Sequence, residues 1–528
     1  MALKRYKHDL SNTRLTSFDM GKIIVTRCEP VLAGTSVIGG VAAGLQLAPM
    51  VHQSLTQIRV DTFAIACPDR LIWDDAEDFY TGGATGDVRP EVPYVVAPEG
   101  GWQPGSTMDH IGAPTGITGL KFDARPLRTL IKWYNENCID PTIQDPLPLS
   151  TASGLDTTTH TGDLYINWPK DRFTTARKEK QLGDEVVIPI VGSASVSGSV
   201  VGTGNTLGLS DGTGAYGLSN FGTTPSSNGD GLFVMDNLAN TPVGTQGGTP
   251  HKSDPSKTLG VSTNDVYSGL KIGTANANLA SATGVLPGEF NFAMGQARWK
   301  MRRNLFGTEF RDLLAFWGIR YSDRRLQYAQ TLAHGRQMID ISAVLQTAPG
   351  TNSAVGQVAG RGTGFAACNY RQYFEEWTQV LHLIVVRPAP VYVNMYPEKY
   401  DIEVREDTFT PEFAHADLVP IKNKILFPTG TDADEETWGY ANAYDYKRSS
   451  FNDVTGRMKT TEVSYHQGRI FETAPQLNDD FLKCRPSGRI FAVTDDTITD
   501  HIEACAVRNK FIEKSYVTPN GNPKFIGG

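Results

Sequence analysis

Apolar residues in the first seventy positions occur in short runs that suit β-strands. Residues 22–34, KIIVTRCEPVLAG, are rich in β-branched side chains, and residues 54–68, SLTQIRVDTFAIACP, alternate loosely between apolar and polar. β-branched residues fit a pleated, half-buried surface, and Pro and Gly mark the turns between strands. Both runs therefore predict strands, and the glycine-broken apolar run 37–51 predicts a buried pair of strands.

Two segments show helical periodicity instead. Residues 69–83 have acidic residues in a first turn, with Asp74 or Asp75 as the predicted cap, and end in two glycines. Residues 125–139 have a proline near the first turn and apolar side chains three and four positions apart, which is typical of a helix packed on a core. Those side chains are Leu127, Leu130, Ile131 and Tyr134.

Two later runs predict further strands. Residues 380–386 are almost continuously apolar, which indicates a strand buried on both faces, and residues 488–496, GRIFAVTDD, predict another. His382 lies inside the first run, so we expect a hydrogen-bonded core or interface residue rather than a catalyst. Short strands separated by long excursions with a few helices predict an all-β core, a sandwich or a barrel.

Residues 297–327 are basic in a chain whose formal charge is −8. The sequence here predicts two helices. The first begins before this stretch and runs from about Phe292 to Leu305, and the second begins at Thr308 and carries Trp317 on its apolar face. Against three acids stand eight basic residues, namely Arg298, Lys300, Arg302, Arg303, Arg311, Arg320, Arg324 and Arg325.

Three interpretations of this basic stretch remain open. The arginines could contact phosphates while bases stack on Trp299 or Trp317. They could also pair with carboxylates of the same or a neighbouring chain, which we favour, or form a subunit contact. The net negative charge argues against a chain that neutralises much DNA by itself.

The composition changes between residues 192 and 287. This region is built from Gly, Ser, Thr and Asn, and the chain has no arginine between Arg177 and Arg298. Turn-forming, weakly charged sequence is a poor core, so the region predicts a surface-exposed insertion.

Motifs for chemistry are weak. Acidic residues at 74–78 and Asp496, Asp500 and His501 could each form a site, but a capped helix turn and a loop after a strand explain them better. The six cysteines lie far apart, which favours reduced thiols over zinc ligands, and no apolar run is long enough to span a bilayer. The sequence therefore predicts no catalytic residue, metal site, cofactor or membrane insertion.

Blocks along nearly the whole chain resemble the major capsid protein of microviruses, most closely the gokushovirus branch. They read HDLSNTRLTSFDMGKIIVTRCEPVLAGTSV (8–37), RLIWDDAEDFYTGG (70–83), RPLRTLIKWYNENCIDPTIQDPL (125–147), WPKDRFTTARKEKQLGDEVVIPI (168–190), GIRYSDRRLQYAQTLAHGRQMIDISAVLQTA (318–348), IVVRPAPVY (384–392) and APQLNDDFLKCRPSGRIFAV (474–493).

This resemblance implies a single capsid domain over residues 1–528, an eight-stranded viral jelly roll with long loop insertions carrying a few short helices. It implies sixty copies in a T=1 icosahedral virion around circular single-stranded DNA, assembled in the host cytoplasm. A small basic internal DNA-binding protein, a pilot protein and a host cell-surface receptor would be partners. The 192–287 insertion would form a protrusion at the threefold axes.

On this interpretation we expect six arginines at subunit interfaces, namely Arg302, Arg303, Arg311, Arg320, Arg324 and Arg325. We expect Lys4, Arg5 and Lys7, at a flexible N-terminus, to face the DNA. The alternatives are a β-rich glycoside hydrolase using Asp74 and Asp78, and a jelly-roll protein that binds carbohydrate or a cell surface.

Overall fold

The computed structural model describes residues 4–183, 287–306, 327–345, 356–414, 417–493 and 499–519, the backbone of six strands between 195 and 278, and single residues at 186, 315 and 347. The strands of these residues are β1 (Tyr6–Asp9), β2 (Asn12–Phe18), β3 (Ile24–Val31), β4 (Thr35–Leu47), β5 (Ile58–Pro68), β6 (Tyr94–Val96), β7 (Lys121–Asp123), β8 (Ser195–Gly202), β9 (Gly208–Ser210), β10 (Ala215–Leu218), β11 (Val234–Met235), β12 (Gly260–Val261), β13 (Leu270–Asn278), β14 (Gln330–Met338), β15 (Asp340–Leu345), β16 (Val358–Phe374), β17 (Thr378–Pro388), β18 (Leu418–Lys422), β19 (Thr437–Asn442) and β20 (Ile502–Ser515). The helices are α1 (Ala76–Thr81), α2 (Thr107–Ile111), α3 (Arg125–Asn137) and α4 (Pro287–Phe306), with helical turns at Asn423–Leu426 and Asp479–Leu482.

Two antiparallel sheets pack face to face. The first sheet has the order β1-β20-β4-β16-β15, with β2 also paired to β20, and the second sheet has the order β14-β5-β17-β3. One buried apolar cluster joins Val41 and Val507 of the first sheet to Val60 and Val386 of the second. The core therefore lies between the sheets, as in a β-sandwich.

Alternation along β4 explains how the first sheet buries only one face. Val37, Val41 and Leu45 are buried between the sheets, whereas Ile38 on the same strand is exposed on the opposite side. Side chains of a strand point alternately to the two faces, so one apolar face suffices. The outer face of the first sheet, the face turned away from the second sheet, is left open to solvent.

The second sheet is covered on both faces. Its outer side packs against α3, whose Leu127, Leu130 and Ile131 share a buried cluster with Leu381 and Leu383 of β17. A strand between two apolar layers needs no polar side, which is why β17 is buried throughout. A separate aromatic cluster, with Phe173, Tyr392, Trp438 and Phe481, anchors the loops around β18 and β19.

The chain divides into two compact units. One comprises Met1–Asp184 with Trp299–Gly528, and the other comprises Glu185–Arg298. In the second unit β8 pairs with β13, and β9 to β12 form a four-stranded sheet.

Most predicted elements are confirmed with adjusted ends. Residues 22–34, 54–68 and 380–386 form β3, β5 and β17, and the segments 69–83 and 125–139 contain α1 and α3. The predicted helix from Phe292 to Leu305 is confirmed by α4, and the helix predicted from Thr308 lies outside the described residues. The all-β core is confirmed, while the eight-strand count and the jelly-roll connectivity stay predictions.

Three local predictions are wrong. The predicted pair of strands over residues 37–51 is one long strand, β4, which ends at Leu47. Gly39 makes room for the neighbouring strand, because a Cβ there would lie 2.2 Å from the ring of Tyr370 on β16. Residues 488–490 form a 3-10 turn, whose Ile490 is buried between the sheets. The side chain of Asp75 does not cap α1, because it accepts a hydrogen bond from Ser153.

Candidate interaction surfaces

The N-terminal basic residues belong to the first sheet. β1 pairs with β20, and Lys7 lies opposite Lys514, so from Tyr6 onward this segment is a strand rather than a flexible tail. The guanidinium of Arg5 donates to the hydroxyls of Tyr373 and Tyr516, at 3.3 and 3.2 Å, and lies over both rings. Lys4 and Lys7 are exposed.

Five further basic residues share the outer face of the first sheet with Lys7, and one of them is Arg361 on β16. Arg508, Lys510 and Lys514 alternate along β20 with buried Asn509 and Phe511, and Arg371 projects from β16 on the same side. The strand register places Lys7, Lys514 and Tyr373 in one row across the sheet. Arg371 lies beside Ile38 in the next set of residues that point to the same face. Sequence reasoning missed this cluster, although the alternation in residues 502–515 was a usable signal.

The predicted interface arginines are described in part. Arg302 is exposed and Arg303 half-buried on α4, and both make polar or electrostatic contacts within the chain. The end of α4 is anchored, since buried Asn304 donates to the carbonyl of Glu179 at 2.7 Å and Arg177 donates to that of Leu305. The remaining four, Arg311, Arg320, Arg324 and Arg325, lie outside the described residues.

The acidic candidates of residues 74–78 have structural contacts. Asp74 accepts a hydrogen bond from Thr151, and Ser153 links Asp75 to the indole of Trp73. Asp78 is exposed in the first turn of α1. No group of three His, Cys, Asp or Glu side chains suited to a metal ion occurs among the described residues.

A shallow cavity of about 250 Å³ lies beside α1. Its lining includes Asp69, Tyr80 and Trp377, whose indole stacks on the Tyr80 ring at 4.0 Å. Asp69 is fully engaged there, because it accepts from Tyr80 Oη at 2.7 Å, Arg125 Nη1 at 3.1 Å and Gln379 Nε2 at 2.9 Å. This carboxylate therefore holds loops together.

A buried charge cluster surrounds Asp61 on β5. Arg387 and Arg336 donate to its carboxylate at 3.0 Å, His334 lies at 3.0 Å, and Arg59 lies at 3.2 Å without hydrogen-bond geometry. Burial alone would raise the pKa of Asp61, but Arg387 and Arg59 outweigh it and the pKa lies below its ordinary value. The cluster ties β5 to its neighbours β14 and β17.

His382 is a satisfied core residue, as predicted. Its ring nitrogens lie 3.0 Å from Tyr370 Oη and 3.1 Å from Asn509 Oδ1, and its side chain is fully buried. The other predicted cluster is incomplete, since Asp496 lies outside the described residues. His501 is buried and accepts the backbone N–H of Met20 at 3.2 Å. Neither histidine faces a cleft that could hold a substrate.

Exposed apolar side chains cluster on one loop after β17. Between residues 400 and 413 the structure exposes five of them, namely Tyr400, Ile402, Val404, Phe409 and Phe413. Tyr400 is the most open of the five, with 69 % of its surface accessible. Several large exposed apolar side chains on one loop are typical of a contact with another protein. Among the described residues, no helix is both long and apolar enough to cross a membrane.

Comparison with known proteins identifies the family of the chain. Residues 1–509 match the phage family described as capsid protein (F protein). The chain is 24 % identical to capsid protein VP1 of Spiroplasma virus 4, over 91 % of this chain and 88 % of the relative. It is 24 % identical to capsid protein VP1 of Chlamydia phage 1, over 93 % of this chain and 91 % of the relative. It is 26 % identical to capsid protein VP1 of Bdellovibrio phage phiMH2K, over 90 % of this chain and 87 % of the relative.

These matches confirm the resemblance to microvirus capsid proteins and exclude the hydrolase interpretation, because the family is structural. The chain belongs to the phage capsid protein (F protein) family, and it is a major capsid protein of a virion and not an enzyme.

Proposed function

We propose that sixty copies of this chain form a T=1 icosahedral shell around a circular single-stranded DNA genome, with an eight-stranded jelly roll as the shell-forming core. Family membership supports the shell, and one structural observation carries self-association: the exposed apolar loop of residues 400–413. In an isolated subunit the five apolar side chains of this loop are exposed to water. Contact with a second copy of the chain would bury them.

Arginines reinforce these contacts. Arg302 and Arg303, with Arg311, Arg320, Arg324 and Arg325, pair with carboxylates across copies, because the planar guanidinium forms bidentate bonds. The chain offers 57 acidic residues for such pairing.

The second unit, Glu185–Arg298, contains the 192–287 insertion and stands on the outer surface of the shell as a protrusion that meets the host receptor. Its lack of arginine between 177 and 298 suits an exposed protrusion and not a DNA lining. A small basic internal protein neutralises most of the genome, and a pilot protein serves entry. Assembly takes place in the host cytoplasm.

Expression of the full chain tests the shell. We expect closed particles of uniform size in electron micrographs, with a mass sixty times the 57.6 kDa of the chain by native mass spectrometry. Closed particles with another copy number would contradict the T=1 proposal, and a protein that stays monomeric at micromolar concentration would contradict self-assembly.

A further inference from the structure

The outer face of the first sheet carries a charge opposite to that of the chain. Six exposed basic residues share it, namely Lys7, Arg361, Arg371, Arg508, Lys510 and Lys514. The acids on this side are Asp9, whose carboxylate already accepts two hydrogen bonds from Ser11, Asp340 on the edge strand β15, and Glu503 at the far end of β20. A chain with a net charge of −8 thus has a locally positive sheet face.

Among the described residues, none of these six cations lies within 4 Å of a carboxylate, and the Asp9 carboxylate interacts with Lys7 and Arg508 only at longer range. By contrast, among the described residues, half-buried Arg125 pairs with Asp123 and buried Arg128 pairs with Asp156. From Arg508 to Lys514 the row extends about 20 Å, at about 3.4 Å per residue of strand. An extended polyanion could therefore contact several of these groups at once.

Apolar side chains and open space lie beside the cations. The ring of Phe365 on β16 is 61 % exposed, and its neighbour across the sheet is Gly44 of β4. A Cβ built on Gly44 meets nothing within 4 Å, so the surface next to the ring is free. Ala506 and Leu15 continue this row, and Leu15 is 79 % exposed. A planar ring could rest here against Phe365.

At the end of the face next to β1, the side chain of Arg5 is held in place. Arg5 lies 5.2 Å from the ring centre of Tyr373 and 5.3 Å from that of Tyr516, which fixes its guanidinium between two aromatic side chains. An arginine held in this way loses little freedom on binding a phosphate. Arg5 and Lys7 therefore extend the same surface that Arg371 and the β20 residues form.

We propose that the outer face of the first sheet binds single-stranded nucleic acid, with phosphates on the row of Arg508, Lys510 and Lys514 and a base stacked on Phe365. Proteins that bind single strands without sequence preference combine a basic track with exposed aromatic rings, and this face has both. The inference rests on the proposed function only in naming the packaged genome as the source of the strand. A second copy of the chain is the alternative occupant of the face.

The test measures binding of a fluorescein-labelled oligothymidine of twenty nucleotides to the purified full chain over a series of salt concentrations. A variant with R508Q, K510Q and K514Q should bind more weakly, and its plot of log affinity against log salt should be shallower by about 2, since each phosphate contact on a single strand contributes about 0.7. F365A should lose about 5- to 150-fold in affinity at every salt concentration, with the slope unchanged.

A matched variant with R89Q, K447Q and R457Q removes the same charge from exposed positions elsewhere and should keep the wild-type slope. Equal slopes for the β20 variant and this control would overturn the inference. Particle formation is scored in parallel by electron microscopy. If the β20 variant binds the oligonucleotide like wild type but forms no particles, the face is a contact between copies and the inference is wrong. Absence of particles from wild type would instead contradict the proposed function, whatever the binding data show.

Discussion

His382 on β17 and Asn509 on β20 connect the two sheets through the middle of the core, with 3.1 Å between His382 Nδ1 and Asn509 Oδ1. Asn509 also donates to the carbonyl of Thr26 at 3.1 Å, and Tyr370 lies at the other ring nitrogen of His382. Each polar group thus has a partner in an apolar environment, where an unpartnered one would cost about 1–3 kcal/mol.

This network predicts acid sensitivity. Burial lowers the pKa of His382 to about 4, whereas a histidine in the unfolded chain titrates near ~6.5. Between these values the unfolded state binds a proton that the folded state does not, so stability is complete above pH ~6.5 and falls as the pH drops toward 4. We expect a loss of about 3 kcal/mol from His382 at pH 4. His110, whose pKa burial also lowers to about 4, adds to it.

Urea unfolding of the unassembled chain, followed by tryptophan fluorescence between pH 7.5 and 4.5, measures this effect. H382Q should be less stable at pH 7.5 but lose less stability on acidification. The same change at half-buried His8, on the strand β1, serves as a matched control for a histidine-to-glutamine change outside the core. Equal pH dependence in H382Q and wild type would contradict the assignment.

Removal of the Asp61 carboxylate should be strongly destabilising. D61N leaves Arg59 and Arg387 partly buried without a counter-ion, and breaking a buried ion pair costs about 3–5 kcal/mol. The comparison is D417N, which removes the exposed pair of Lys180 and Asp417 and should cost at most about 1 kcal/mol. The urea unfolding midpoints of D61N and D417N at pH 7.5 measure the two losses of stability. Similar midpoints would show that the Asp61 cluster contributes little to stability.

The apolar loop should control assembly rather than folding. I402D and V404D place charges on exposed positions, so the unfolding midpoint of the unassembled chain should change little. Particle yield by sedimentation should fall at least about tenfold, because a buried unpaired carboxylate at a subunit contact costs several kcal/mol. V404I retains the apolar surface and should assemble normally. Normal particle yield from both aspartate variants would exclude this loop from the interface.

The arginines of the basic stretch can be assigned to protein or to DNA. R302Q, R303Q, R324Q and R325Q, made one at a time, should lower the yield of empty shells, because the proposal places these side chains across subunit contacts. Shell yield and genome content are measured separately in each variant. Shells that form normally but contain less DNA would show that these arginines bind the genome.

The second unit should be dispensable for folding. Replacement of residues 204–261 by a short linker removes four of its strands and leaves the sandwich sequence intact. We expect a wild-type unfolding midpoint and normal shells with impaired attachment to host cells. A variant that folds but yields no shells would make the segment part of the shell framework.

Local patterns predicted the elements whose environment is uniform along the segment. The apolar run 380–386 indicates a buried strand whatever it packs on, and α3 follows from its spacing alone. The error at β4 has a non-local cause, because Gly39 is required by Tyr370, more than three hundred positions away. The basic face was missed for the same reason: Arg371 and Lys7 join the β20 residues only through the strand register.

The position of β4 in the first sheet sets the order of events during synthesis. β4 spans residues 35–47, yet its two neighbours are β16, which begins at residue 358, and β20, which begins at residue 502. Both edges of β4 therefore remain unpaired while most of the chain is translated, and such contacts between distant segments form slowly. A ribosome must deliver the last strand before the sheet can close. Chains that end before residue 502 lack β20 and cannot complete the sandwich. Such incomplete subunits should therefore not enter the particle.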